Sequence, residues 1–357
     1  MTRTVRASHI AGLSACACVA LFCFEKFDFG GGRMDESPRI LKIFEHTRTV
    51  CVGRFLIDVP DEAQIVYGPV EVPYPVVVYR GKADEMEKII AARLVEIEVD
   101  KPHVYDALAA PDSMLGKVLD GALPGHKILF GISRASFAFY GLGSYVRVGD
   151  DLFIQEAEAM GAAQQYQKIV QELNAMAPLF ASRRDDHIPS EAGLCIENGF
   201  IKYAARSMYE SVSVGMRLSS FPDVHLSISA TNKDIAVPSD ALEPRVRQGE
   251  QLLKSEGQGA WYSQVKKLRE GPRQIGNWSG YEFLARMPSQ ERTGESHEFS
   301  FLSQGEPNNP YLPVLDIELQ SGVRDNKIGA TRPGVTDQEA VMIWDRLTSS
   351  IRVRPHQ

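Results

Sequence analysis

Short β-rich runs, punctuated by glycine, proline and asparagine and separated by single amphipathic helices, occur twice along this sequence. That grammar constrains the fold more than any other feature. The stretch 49–60 reads as a strand closed by Pro60, because proline cannot extend a hydrogen-bonded ladder. A second β-rich run covers 70–79. Asp84 and Glu87 then stand three apart, as in a capping box, and Met86, Ile89, Ile90, Leu94 and Ile97 follow at helical spacing. Strands are expected at 127–132, 135–148 and 152–159. A closing helix carries Tyr166, Ile169, Val170, Leu173 and Met176 on one face. Pro178 and the charged Arg183-Arg184-Asp185-Asp186 read as a boundary.

The second block opens alike. Strands are expected at 194–201, 211–218 and 224–230, the last two joined by a Pro222-Asp223 turn. Ser239 is placed to cap a helix facing inward through Leu242, Val246 and Leu253. That helix breaks at Gly257 and Gly259 and resumes through Trp261, Val265 and Leu268. Further strands at 281–286, 297–303 and 314–320 precede a last helix with a full capping box, Thr336 to Glu339, and Ala340, Ile343, Leu347 and Ile351 on one face. Runs of strands around single helices predict an α+β fold of two similarly built domains, 48–182 and 190–354. Each is expected to be a mainly antiparallel sheet covered by helices on one face. A chain of 357 residues is long enough for two such cores.

The first 29 residues have a different character. Arg3 and Arg6 precede an uncharged apolar run, 10–24, and a glycine-rich linker, 30–47, leads into the first block. This is the pattern of a secretory signal or a short anchor, and the run is shorter than the roughly 20 residues a membrane-spanning helix needs. Leu13-Ser14-Ala15-Cys16 has the form of a lipoprotein processing site, with Cys16 as the acylated residue. Most of the apolar run follows Cys16 rather than preceding it, so cleavage elsewhere or an uncleaved anchor are alternatives, as is a translation start at Met34. A periplasmic location is the expectation, with membrane contact only through this leader. Outside the leader only Cys51 and Cys195 remain. In an oxidising compartment they can pair, and two buried free thiols are the alternative.

Composition excludes some function classes. A net charge of −7 argues against a nucleic-acid binder, which needs a concentrated basic face, and suits a basic protein partner. No Gly-x-Ser-x-Gly, phosphate loop or dinucleotide fingerprint occurs. The nearest serines are Ser133, in Gly131-Ile132-Ser133-Arg134-Ala135, and Ser144, after Gly141-Leu142-Gly143, which reads as a hairpin turn. The eight histidines are scattered; His297-Glu298 reads as an exposed strand position, and His103 and His126 as solvated loop residues. No cofactor or metal is expected. Asp150-Asp151 and Asp185-Asp186 keep open an alternative, an exported hydrolase with an unrecognised carboxylate site. Loops at 217–223, 287–298 and 304–313 are candidate binding devices, with Asp223, Arg292 and Tyr311 as interface candidates and Trp278 as a possible aromatic anchor.

Two stretches carry a family resemblance. Thr49-Val50-Cys51-Val52-Gly53-Arg54-Phe55-Leu56-Ile57-Asp58-Val59-Pro60 resembles the opening of the N-terminal domain of type VI secretion immunity proteins that neutralise lipase effectors. Gly193-Leu194-Cys195-Ile196, with Gly199-Phe200-Ile201 and Phe221-Pro222-Asp223-Val224, resembles the opening of their C-terminal domain. The resemblance implies a periplasmic protein without catalytic residues, which binds a cognate phospholipase and keeps it from membrane lipid.

Overall fold

A computed structural model describes residues 37–105, 108–160, 163–203, 209–290 and 292–355. Cys16 and Met34 therefore lie outside the described residues. The chain starts with helix α1 (Pro38–Ile43) and strands β1 (Thr47–Val52), β2 (Phe55–Pro60), β3 (Ala63–Glu71) and β4 (Val76–Tyr79). Helix α2 (Met86–Asp100) precedes β5 (Val118–Asp120), β6 (Lys127–Ile132), β7 (Phe139–Val148), β8 (Asp151–Met160) and helix α3 (Ala163–Met176). Three short strands follow, β9 (Phe180–Ser182), β10 (Leu194–Ile196) and β11 (Gly199–Ile201). Then come the long β12 (Glu210–Leu218) and β13 (Phe221–Asn232). Helix α4 (Leu242–Ser255) and the one-turn α5 (Gly259–Tyr262) lead to β14 (Lys266–Ile275), β15 (Trp278–Met287), β16 (Ser296–Ser303) and β17 (Val314–Gln320). Helix α6 (Asp337–Thr348) and β18 (Arg352–Val353) end the fold.

Two main sheets result, and every strand pairing within them is antiparallel. The smaller has the order β4-β8-β7-β6-β5, and the larger β14-β15-β16-β17-β13-β12-β3. Helix α2 lays Met86, Ile90 and Ile97 on Leu129, Tyr145, Leu152 and Ile154 of the smaller sheet. Helix α3 packs Ile169 and Leu173 on its opposite face, against Ile128, Phe130, Tyr140 and Leu142. That sheet is thus covered on both faces, not one: its strands carry apolar residues on alternate positions of both sides. In the larger sheet, Ala340, Ile343, Trp344 and Leu347 of α6 join the main core with Phe299, Ile317 and Leu319. The capping box holds the start of α6, where the Thr336 hydroxyl accepts from Glu339 N–H and the Glu339 carboxylate accepts from Thr336 N–H.

The two blocks exchange strands. β3, from the first block, is the edge of the larger sheet and pairs with β12 from Ala63↔Leu218 to Glu71↔Ser211. β18, at the end of the second block, pairs with β2. A disulfide joins Cys51 to Cys195, flanked by reciprocal backbone bonds between Gly53 and Cys195. Two buried arginines fasten the same joint. Arg183 donates to the carbonyls of Gly199, Ile196, Arg184, Asp185 and His187, and Arg354 to those of Pro189, Glu191 and Gly193. The charged stretch read as a boundary is therefore pinned from within by guanidinium groups.

Several local expectations change. The run 49–60 is a hairpin, since Gly53 takes φ +55° and turns the chain between β1 and β2. No side chain caps α2 or α4, and Ser239 lies in a 3₁₀ turn before α4. The segment after Tyr262 is the edge strand β14, not a resumed helix. Pro222 and Asp223 sit inside β13, and Ser219-Ser220 make the turn. Among the described residues no helix is long and apolar enough to cross a membrane.

Candidate functional site

The surroundings of the residues with catalytic potential decide what those residues can do. His297 is 1% exposed, far from the solvated strand position its sequence suggests. Its Nδ1 lies 2.7 Å from Ser321 Oγ and its Nε2 2.9 Å from Asp337 Oδ1. Ser, His and Asp thus form a triad-like array that chain spacing gave no hint of. Ser321, however, is 0% exposed, and its Oγ also accepts the backbone N–H of His297 at 3.0 Å. A nucleophile must reach its substrate, and this hydroxyl is sealed in the fold. Burial would raise the Asp337 carboxyl, but hydrogen bonds from Lys266 and His297 hold it below the usual carboxylate range. The array reads as a brace between β16, the end of β17 and the start of α6.

The other candidates are equally committed within the chain. Ser144 is buried, with Oγ 2.8 Å from His126 Nε2, so His126 is a core residue rather than a solvated one. Ser133 donates to Glu158 at 2.5 Å and accepts from Ala135 N–H. Asp151 accepts from Gly81 N–H, Asp185 from Asn198 N–H, and Asp186 pairs with Arg184. Neither acidic doublet forms a facing pair in a cleft. Among the described residues no group of three or more metal-ligating side chains converges.

Burial alone pushes the His126 imidazole below its ordinary value of 6.5, and burial likewise dominates the lowering at His297. Above pH 6.5 both states hold these rings neutral. Below it the unfolded chain gains protons that the folded chain resists, so stability falls as pH drops from 6.5 towards 5. Each unit of depression is worth about 1.4 kcal/mol. The thermal midpoint is therefore expected to fall between pH 7.5 and pH 5.5, and to fall less in His126→Gln. Identical pH slopes for the two proteins would contradict this assignment.

The interface candidates fare differently. Asp223 is 9% exposed, and its Oδ2 accepts from Gly322 N–H at 3.0 Å and Gly334 N–H at 2.9 Å. Two backbone N–H groups of the chain thus already occupy this oxygen of the carboxylate. Trp278 is buried and donates to Pro313 O. Tyr311 is half-buried, with the Arg54 guanidinium 5.1 Å from its ring centre, beside the buried Arg54–Glu210 ion pair. Arg292 is exposed on the β15–β16 connection.

What the fold leaves open is surface. On the α2 side of the smaller sheet, beyond the helix, lies a groove of 420 Å³. Its floor is Gly131, Gly141 and Gly143, which the register places side by side, Gly131 opposite Gly141 and Leu129 opposite Gly143. These glycines lie within strands, not in a hairpin turn. A Cβ at Gly143 would come within 3 Å of the Tyr145 ring, so that glycine lets the tyrosine lie along the sheet as a wall. Pro73, Tyr74 and Pro75 form the other wall. Gln155 fastens that segment by donating to the carbonyls of Val72 and Tyr74. Glu71, Glu156 and Glu158 line the groove together with Arg93 and Arg134.

The surface continues through Glu71, which also pairs with Ser211 at the edge of the larger sheet. Helix α4 packs against β15 and β16 of that sheet, on Phe283, Ala285 and Leu302. The rest of the same face carries Val66, Ser213, Gly215, Ser227, Ser229 and Glu318, all half-buried or exposed. A flat sheet face of small polar residues, joined to an acid-lined groove, offers area rather than a reaction centre. The sequence reading missed this region. Its one signal was the Gln155-Glu156-Ala157-Glu158-Ala159 alternation, which puts two carboxylates on one face of a strand.

Comparison with known proteins agrees with this geometry. The structure is similar to the apo immunity protein TplEi of the type VI secretion system from Pseudomonas aeruginosa, at a TM-score of 0.70 and 23% identity, over 87% of this chain and 98% of that one. The same coverage, TM-score and identity hold for a chain in the crystal structure of a Tle4–Tli4 complex. TplEi bound to an "L" peptide matches over the same shares with a TM-score of 0.66 and 24% identity. No curated protein sequence matches the chain significantly. Family models do: the N-terminal domain of Tle cognate immunity protein 4 matches residues 48–177, and its C-terminal domain residues 187–356. The two matches follow one another in the family's order and together span most of the sequence, so the chain belongs to the Tle cognate immunity protein 4 family.

Proposed function

We propose that the protein binds a cognate type VI secretion lipase in the periplasm and inhibits it by occupying surface, protecting the producing cell and its kin. The observation that carries this reading is the match of both family domains, in order, over most of the chain. The geometry supports it. The described serines with histidine neighbours are sealed in the core, while an acid-lined groove and a polar sheet face stand open. A lipase has to open its mouth and meet the bilayer, and a protein seated on that mouth blocks both steps without chemistry. The protein itself then needs no catalytic residue. Asp223, Arg292 and Tyr311 remain proposed contacts, with Arg292 exposed on its loop.

Tight inhibition calls for an interface of about 1,600 Å² or more with a few buried anchors. The joint made by the disulfide, Arg183 and Arg354 supports this use, since a pre-formed surface loses little ordering entropy on binding. The test is co-purification with the cognate type VI lipase. A complex of one copy of each, stable through gel filtration at micromolar concentration, is expected. Separate elution of the two proteins at that concentration would sink the reading.

A further inference from the structure

We propose that the glycine-floored groove is a socket for a basic side chain, arginine above all, presented by an extended surface segment of the partner. This rests on the partner-binding reading and specifies the chemistry of one contact. Three features of the groove converge on that occupant. The floor is backbone at Gly131 and Gly141, with the Tyr145 ring laid over Gly143, so a long flexible stem can lie along the sheet beside that ring. The walls are Tyr145 and the Pro73-Tyr74-Pro75 segment, which offer apolar cover to the stem. The charge at the lining is acidic on balance, Glu71, Glu156 and Glu158 against Arg93 and Arg134.

The carboxylates are placed to receive a donor. Glu156 meets Arg134 only at 3.4 Å, in a pair exposed on both sides, so an incoming guanidinium can replace that partner. Ser133 takes Oε1 of Glu158, and a carboxylate accepts at both oxygens. A planar fork of donors fits such a lip better than an ammonium does. An acidic side chain would meet three carboxylates against two arginines, a net repulsion, and a purely aliphatic one would desolvate these charges without compensation. The net charge of −7 favours approach by a basic segment as well.

The socket is tested on the full chain with a defined probe. Nα-acetyl-arginine methylamide is titrated to millimolar concentration while the amide resonances of Gly131, Gly141 and Gly143 are followed by NMR. Saturable shifts are expected with this probe. The glutamate analogue should give none, and neither probe should move these amides in Glu156→Lys/Glu158→Lys. Both positions are exposed, so the variant should keep its fold. In parallel, the amount of protein that halves the activity of the cognate lipase should rise at least tenfold in that variant. It should not change in Glu45→Lys/Glu256→Lys, which alters two exposed acids outside the groove. Unmoved glycine amides, or an equal response to the glutamate probe, overturns the socket. So does full inhibition by the groove variant. If the wild-type protein ignores the lipase altogether, the functional reading falls instead, and the arginine titration still judges the socket.

Discussion

Replacing both Cys51 and Cys195 with alanine is expected to remove about 5 kcal/mol of stability, through the loop-closure entropy of the unfolded chain. The bridge spans 144 residues of sequence, which makes the closed loop long and the entropic effect large. A typical folded protein of this kind is stable by roughly 5–15 kcal/mol, so the loss approaches the whole of a modest stability. Alanine is the right replacement because both sulfurs sit in an apolar cluster with Leu56 and Phe200, where a serine hydroxyl would add a desolvation cost of its own. Urea unfolding of the oxidised protein, the reduced protein and the double variant measures the effect. The last two should unfold at similar, much lower urea concentrations. A difference under about 1 kcal/mol would mean that the bridge contributes little, and that the joint rests on hydrogen bonds alone.

The second large effect is expected at Arg183. Its guanidinium is almost fully buried and feeds five backbone carbonyls from the segment 184–199. Methionine fills similar volume but strands those acceptors, each costing on the order of 1 kcal/mol or more where water cannot reach it. A loss of roughly 3–5 kcal/mol follows, allowing for some carbonyls turning to solvent. Lysine should recover only part of this, because three donors on one nitrogen cannot match a planar fork of five. Amide exchange gives a second readout. Arg183→Met should speed exchange most in β10, β11 and their pairing with β9, and least in β13 and β16. Uniformly faster exchange would instead indicate global destabilisation without a local joint.

Helix positions were the legible part of this fold. The apolar spacing of Met86, Ile90 and Ile97, and of Ala340, Ile343 and Leu347, survives into α2 and α6 because one-sided burial imposes a period that neighbouring residues reveal. The capping box at Thr336 is local in the same sense. The strand exchange was not legible. Whether β3 pairs with β4 or with β12, more than a hundred residues away, depends on partners that carry the same alternating pattern. Glycine misled twice, in opposite directions. Gly53 hid a turn inside an apolar run, while Gly141 and Gly143 suggested a turn where a strand runs through.

The candidate surface was less legible still. Asp223 stood in a loop-like sequence, and only the fold shows that its carboxylate closes two backbone N–H groups. The groove draws on β3, the 72–75 connection, α2 and three strands of the smaller sheet, so no window of the sequence contains it. His297, Ser321 and Asp337 show the converse. Three residues of catalytic type are brought together by folding, and burial then denies them a substrate.

This protein is expected to act by stoichiometric coverage of the lipase. The direct measurement is turnover of a phospholipid substrate by the cognate lipase, at nanomolar enzyme, against increasing amounts of this protein. A linear decline to no activity at one equivalent is the predicted result, with no lipid hydrolysis by the inhibitor alone. Unchanged lipase turnover in a hundredfold excess would contradict it, as would saturable hydrolysis by this chain in the absence of the lipase.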